Sequence, residues 1–203
     1  MKTLLIAFLF FAALAPAAKA DEAHSGLFVE PAVTYESGDT STDYPAPFSD
    51  STGSVRGYGI AARLGFHINE AFFLALDGRY SQPDFSDTNV HYDAKSVSTN
   101  WGPVVGLQMP NVGLRIWGAY VMNGEINPEA SGGYDVKYQD GNGYRVGAGF
   151  RIAAVSINLE YQDEKYGKAT LEQAGTFTPG TSFSNVDMTS KTWITSLSFP
   201  LEF

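Results

Sequence analysis

Ten charged residues lie on the polar side of segments in which apolar and polar residues alternate. Five are acids, five are arginines, and none is a lysine. Arginine presents a planar fork of donors that can bind a carboxylate bidentately, so it suits buried ion pairs better than lysine. We therefore predict a network of buried ion pairs among these residues: Glu30, Glu36, Asp77, Glu160, Glu202, Arg63, Arg79, Arg115, Arg145 and Arg151.

Catalytic and metal-binding chemistry has few candidates. There is no cysteine, and the histidines are His24, His67 and His91. His67 is expected in a short turn, and His91 is most simply a solvated loop residue. The run Asp140–Gly143 resembles part of a calcium loop but lacks the full ligand series, so it predicts a turn before a strand. We predict no catalytic residue, no metal site and no cofactor.

The first twenty residues have the features of a secretory signal peptide. A lysine at position 2 precedes an uncharged apolar stretch, and Ala18-Lys19-Ala20 has the small-residue pattern of a cleavage site. The apolar stretch is too short for a membrane-spanning helix, which needs about 20 residues. We predict cleavage after Ala20 and one domain over 21–203.

Period-two alternation is the strongest structural signal. In a β-strand successive side chains point to opposite faces, so each such segment predicts a strand with one apolar face. Eight segments show it, two of them weakly (27–36 and 97–109); the other six are 57–66, 72–80, 114–123, 144–152, 155–162 and 193–203.

The connections between the predicted strands are of two kinds, and they alternate along the chain. Short ones lie near Asn69, Asn111 and Ala154, and long ones at about 37–55, 82–95, 124–141 and 163–187. Short turns at one end and long loops at the other are typical of an up-and-down barrel that spans the outer membrane. The predicted fold is therefore all-β, an eight-stranded antiparallel up-and-down transmembrane β-barrel.

A soluble β-sandwich or a lipocalin-like barrel is the rival interpretation, with its apolar face inward. The polar faces, however, combine balanced charges with glycine and alanine, which fits a crowded narrow interior. Aromatic residues also favour the membrane, because they concentrate at the two ends of the apolar faces like interfacial girdles. The two sets are Tyr35, Tyr58, Tyr80, Tyr120, Tyr144, Tyr161 and Trp193 towards the long loops, and Phe66, Phe72, Phe150, Phe199 and Phe203 towards the short turns.

With its signal peptide, eight alternating strands and terminal Phe203, the sequence resembles the small outer-membrane β-barrel superfamily of the OmpA, OmpX and OmpW kind. The resemblance implies that Phe199, Leu201 and Phe203 form a signal for the barrel-assembly machinery, with periplasmic chaperones as further partners. It also implies a location in the bacterial outer membrane among lipid and lipopolysaccharide. Pro31 and Pro200 should weaken the seam between the first and last strands, since proline cannot donate to a ladder.

Three functions remain open. The preferred one is a non-enzymatic, monomeric envelope protein whose lumen is plugged, with Phe28, Phe73 and Trp117 filling the space beside the charges. Its acidic loops, with fourteen acids against four lysines, would serve surface interaction or envelope integrity and exclude a nucleic-acid partner. The alternative is a narrow channel for small or hydrophobic solutes, as in OmpW. A lipid A-modifying enzyme is the third, although no strand carries the H-x-S pattern that the lipid A deacylase family uses.

Overall fold

The computed structural model describes residues 26–44, 49–68, 71–88, 92–109, 112–131, 134–174, 181–183 and 186–203. Within these ranges there are ten strands and no helix: β1 (Leu27–Asp43), β2 (Ser51–Ile68), β3 (Phe72–Asp87), β4 (Tyr92–Met109), β5 (Leu114–Pro128), β6 (Tyr134–Ile152), β7 (Val155–Ala174), β8 (Thr181–Phe183), β9 (Asp187–Ser198) and β10 (Leu201–Glu202). Among the described residues there is no helix long and apolar enough to cross a membrane.

The strands form a closed antiparallel ring of eight, as predicted. Each of β1 to β7 pairs with its neighbour in sequence, and β9 closes the ring by pairing with both β7 and β1. We call the end of the barrel away from the short turns its upper end. There the short β8 pairs with the last part of β7. The predicted cleavage site after Ala20 lies outside the described residues and stays a prediction.

The seam between the first and last strands is interrupted where the two prolines meet. The last barrel strand consists of β9 and β10, separated by Phe199 and Pro200. The register is the same on both sides of the gap, with Ala32 opposite Ser198 and Val29 opposite Leu201. Because Pro200 cannot donate to the ladder, the pairing stops there, although the amide of Phe199 still donates to the carbonyl of Pro31.

An apolar belt covers the outside of the barrel in the part nearer the short turns, which we call the lower barrel. Exposed leucine, isoleucine, valine and methionine side chains fill it, for example Leu64, Leu76, Val105 and Leu197. Tyrosine and tryptophan end the belt on one side, with Trp101 added to the predicted set, and phenylalanine ends it on the other. We take the membrane-spanning part of each strand as the stretch between these two aromatic rings, which in β7 is 155–161.

The predicted long loops are wrong in extent, because the strands continue well above the upper aromatic ring. The sense of the alternation inverts there: Val55, Phe85 and Met188 point inward, while their neighbours Arg56, Asp84 and Asp187 point outward. An upper barrel surrounded by water buries its apolar side chains inside, whereas the part in lipid presents them outside. Asp140 also lies within β6 rather than at a turn before it; its φ of 57° accompanies an unpaired position in the ladder to β7.

Candidate functional site

Seven charged side chains meet at the centre of the barrel, within the membrane-spanning part. They come from six strands. All point inward, because each occupies one of the alternate positions of its strand that face the interior. These residues are Glu30 (β1), Arg63 (β2), Asp77 and Arg79 (β3), Arg115 (β5), Arg145 (β6) and Glu160 (β7). We refer to this set as the ion network.

Asp77 is the centre of the ion network. Its Oδ1 accepts hydrogen bonds from Nε of Arg79 at 3.0 Å and from Nη1 of Arg145 at 2.8 Å, and its Oδ2 accepts one from Nη2 of Arg63 at 3.1 Å. Three guanidinium groups therefore surround one carboxylate. This arrangement compensates the charge of Asp77 several times over.

Each of the other two carboxylates of the network binds one arginine through both of its oxygens, and Arg115 with Glu30 forms a bidentate pair. Nη2 of Arg79 lies 2.6 and 2.7 Å from the two carboxylate oxygens of Glu160. Arg115 donates to the two oxygens of Glu30 at 2.7 and 2.8 Å, and Ser198 adds a third hydrogen bond to Glu30 at 2.6 Å. Charge-assisted bidentate pairs of this kind are among the stronger hydrogen-bonded contacts in proteins.

An aromatic layer adjoins the ion network, with Phe28 and Phe73 on its short-turn side and Trp117 beside Arg63. Phe28, Phe73 and Trp117 are buried in it together with Val104 and Ala119. The guanidinium carbon of Arg63 lies 5.0 Å from the Trp117 ring centroid, and that of Arg115 lies 5.2 Å from the Phe73 centroid. The aromatic faces thus contact the cations directly.

Three of the ten predicted residues lie outside the ion network. Arg151 and Glu202 pair with each other at the lower rim, where both are partly exposed. Glu36 lies above the network and accepts a hydrogen bond from Ser81 at 2.7 Å, with no arginine at ion-pair distance in the described part of the chain. His67, expected in a turn, is an inward residue of β2, and its ring stacks on Phe28 with centroids 4.5 Å apart.

Sequence reasoning missed two inward carboxyls, Asp87 of β3 and Glu164 of β7. Glu164 is the more deeply buried of the two. Its Oε2 accepts hydrogen bonds from Gln162 at 2.8 Å and from Asn100 at 3.5 Å. Outward-facing Asp163 and Lys165 flank it above the upper aromatic ring, so it lies outside the membrane-spanning part. Burial raises the pKa of Glu164 to about 7. Extending the inward–outward alternation of β7 past Tyr161 would have predicted that Glu164 points into the barrel.

An apolar layer lies inside the barrel above Glu164. Eight buried side chains pack together in it: Val55, Phe85, Ile126, Tyr138, Tyr166, Ala169, Val186 and Met188. Tyr44 packs against them from the end of β1. The interior is therefore layered, with aromatic residues below, ions in the middle and apolar residues above.

A cavity of about 10 Å³ lies among Glu30, Arg63, Asp77, Arg79 and Glu160, close to the minimum for one water molecule. The described residues contain no group of three or more histidine, aspartate or glutamate side chains that could hold a metal ion. The interior chemistry that the structure shows is ion pairing.

A protein-family model described as the outer membrane protein beta-barrel domain matches residues 4–193. The chain belongs to this family. It is an integral protein of the bacterial outer membrane, as the resemblance implied.

Among the solved structures that are similar to the chain, that of OprG supports the fold. The outer membrane protein OprG from Pseudomonas aeruginosa is 9% identical, with a TM-score of 0.56, over 87% of this chain and 96% of that one. Neisserial surface protein A is 13% identical with a TM-score of 0.47, over 86% and 97% of the two chains. Ail of Yersinia pestis is 12% identical with a TM-score of 0.47, over 87% and 99%. A comparison with curated proteins found no match.

Proposed function

We propose that this outer-membrane barrel is a non-conducting, non-enzymatic envelope protein. The observation that supports the proposal is the succession of buried side chains inside the barrel, from the aromatic layer through the ion network to the upper apolar layer. An eight-stranded barrel is only wide enough for side chains to fill it. A solute would have to displace all three layers in turn.

Conductance of single molecules in planar bilayers tests this function. We expect negligible ion current from the mature protein, with insertion verified by the heat-dependent mobility of the same sample on a denaturing gel. A larger porin added to the same bilayer serves as the positive control. Steady conductance of the inserted protein would overturn the plugged lumen.

The outer face of the upper barrel is the surface that would meet the cell envelope. Of the fourteen acids in the predicted long loops, Asp87 and Glu164 are buried, and the others are exposed or half-buried. Carboxylates and the phosphates of lipopolysaccharide are both hard oxygen ligands, which Ca²⁺ and Mg²⁺ can bridge. The proposed role is thus attachment to lipopolysaccharide through divalent cations, which would support envelope integrity.

Retention of lipopolysaccharide by the purified protein tests this role. We expect retention with Mg²⁺ present and loss with a chelator, and weaker retention when Asp39, Asp43 and Asp84 are changed to asparagine. The matched control changes buried Asp87 instead. Retention that ignores both the chelator and the surface changes would contradict cation bridging.

A narrow channel for hydrophobic solutes is the second candidate. The apolar residues of the upper layer favour it, since Val55, Phe85, Ile126 and Met188 would offer an apolar passage if they moved apart. The same bilayer experiment separates the two functions. A channel predicts conductance, or uptake of an apolar dye by vesicles, that increases when Phe85 and Met188 are shortened to alanine.

Enzymatic activity has little support in the described residues. His67 is buried against Phe28 and Phe73 rather than beside a nucleophile. His24 and His91 lie outside the described residues. We therefore expect lipid A from cells that overproduce the protein to have an unchanged mass spectrum.

A further inference from the structure

The interior holds one carboxyl more than its arginines can neutralise. Between the aromatic layer and the upper apolar layer lie four arginines, Arg63, Arg79, Arg115 and Arg145, and five carboxyls, Glu30, Glu36, Asp77, Glu160 and Glu164. A buried charge without compensation is costly. One of the five must therefore hold a proton or take a cation from another carboxylate.

Glu164 is the carboxyl with the poorest compensation. It is fully buried, and no arginine or lysine lies at ion-pair distance from it in the described part of the chain. Its Oε1 has no hydrogen-bond donor and lies against Gly124, where a side chain would overlap it. Glu36 also lacks an ion pair, but it is only half-buried as a residue and accepts a hydrogen bond from Ser81.

Arg145 is the arginine that can leave its carboxylate partner, Asp77, while that partner keeps other ion pairs. It is fully buried, and its Nη1 donates to Asp77, while its Nε and Nη2 have no acceptor. Asp77 would still contact Arg63 at 3.1 Å and Arg79 at 3.0 Å if Arg145 moved away. The loss to Asp77 would therefore be partial.

The register places Arg145 and Glu164 within reach of each other. Arg145 of β6 is directly opposite Gln162 of β7, and Glu164 lies two residues further along the same face. Diagonal neighbours of this kind have Cα atoms about 7–8 Å apart, a distance that long side chains span. A change of side-chain rotamer can then move the guanidinium from Asp77 to Glu164.

We propose that Arg145 and Glu164 form a proton-controlled exchange pair. While Glu164 is protonated, Arg145 binds Asp77, and four arginines balance four carboxylates. When Glu164 releases its proton to the medium, Arg145 moves to it and leaves Asp77 to Arg63 and Arg79. The interior thus has two ion-pairing states beneath the upper apolar layer.

The groups around Glu164 set the range in which the exchange occurs. Burial and, more weakly, Glu36 of β1 disfavour the charged form, whereas Tyr166 of the same strand, Arg145 of β6 and Asn100 of β4 favour it. Asn100 of β4 and Gly124 of β5 contribute no titratable group. The raised pKa of about 7 populates both states near neutral pH.

Infrared spectroscopy of the mature protein in phospholipid vesicles tests for the proton directly. We expect a protonated-carboxyl band that disappears as the pH rises through about 7. The band should be absent from Glu164→Gln and retained in Asp163→Asn, which changes the outward-facing neighbour on the same strand. A band that survives Glu164→Gln, or no titrating band in the unchanged protein, would overturn the proposal.

A double-mutant cycle tests the exchange of partners. Combining Arg145→Met with Glu164→Gln should show coupling of about tenfold or more in the unfolding equilibrium at pH 9, and little coupling at pH 5. Equal coupling at both pH values would contradict the exchange. If Arg145→Met does not fold, the infrared titration still decides whether Glu164 holds the proton. Neither measurement reads ion current, so a conducting lumen would overturn the proposed function without touching this pair.

Discussion

The Arg115 guanidinium holds the Glu30 carboxylate through two parallel hydrogen bonds inside the barrel, Nη1 to Oε1 at 2.7 Å and Nη2 to Oε2 at 2.8 Å. The two residues are 85 positions apart and belong to β5 and β1, which do not pair. Side chains therefore connect strands that the hydrogen-bond ladder leaves unconnected. The guanidinium of Arg115 also lies 5.2 Å from the ring centroid of Phe73.

Removing one partner of this pair should be costly. Arg115→Ala or Glu30→Ala leaves the other charge buried, so each should lower the free energy of unfolding by about 3–5 kcal/mol. Urea unfolding in vesicles of a short-chain phosphatidylcholine measures the change. In the double variant we expect a smaller loss than the two single losses together, because no charge is then left without its partner.

The exposed pair of Lys95 and Asp84 provides the matched control. Their contact of 3.2 Å is similar in length, but both side chains are largely in solvent. Alanine at either position should change stability by less than about 1 kcal/mol. Losses of similar size in the interior and exposed pairs would show that burial does not determine the cost.

A side chain at Gly124 should fit only if the carboxyl of Glu164 moves. A Cβ at this inward position of β5 would overlap the carboxyl of Glu164, whereas a Cβ at outward-facing Gly78 would meet nothing within 4 Å. Gly124→Ala should destabilise the barrel by about 1–3 kcal/mol through overpacking, and Gly78→Ala by less than about 0.5 kcal/mol. The same urea unfolding compares them, and equal effects would argue against the observed position of Glu164.

Stability should fall with rising pH because of Glu164. Its pKa is raised from 4.5 to about 7 in the folded protein, so the folded state binds this proton more tightly than the unfolded state. The stabilisation is complete below about pH 4.5 and is lost as the pH rises through about 7. Relative to the unchanged protein, Glu164→Gln should gain up to about 3 kcal/mol between pH 5 and pH 9. Asp163→Asn should show no such gain in the same unfolding series.

Phe203 should matter more for assembly than for stability. Its side chain is 75% exposed, although its backbone amide donates to the carbonyl of Leu27 at 2.9 Å. We expect Phe203→Ala to lower the amount of protein in the outer membrane and increase its degradation in the periplasm. Unfolding of the purified variant should change little. Phe66→Ala, at another exposed phenylalanine of the lower ring, is the control; equal assembly of the two variants would mean that Phe203 carries no signal.

The sequence by itself determined the membrane-spanning part of this protein. In a strand with lipid on one side and a crowded interior on the other, the alternation of apolar with small or polar residues is enough to predict which face each side chain occupies. Leu197 and Ser198 of β9, for example, have the outward and inward positions that their alternation predicts. The closed ring of eight strands followed from the number of such segments and from the alternation of short and long connections.

Only the tertiary structure decided how far the strands continue and which charges meet. Above the membrane the surroundings change from lipid to water, so the apolar side chains Val55 and Phe85 change face, and segments with inverted alternation were interpreted as loops. The alternation predicted that Arg115 and Glu30 point into the interior, but it did not predict that they pair with each other. Partner choice depends on how the tilted strands bring distant residues to one height in the barrel, and one segment's alternation contains no information about that height.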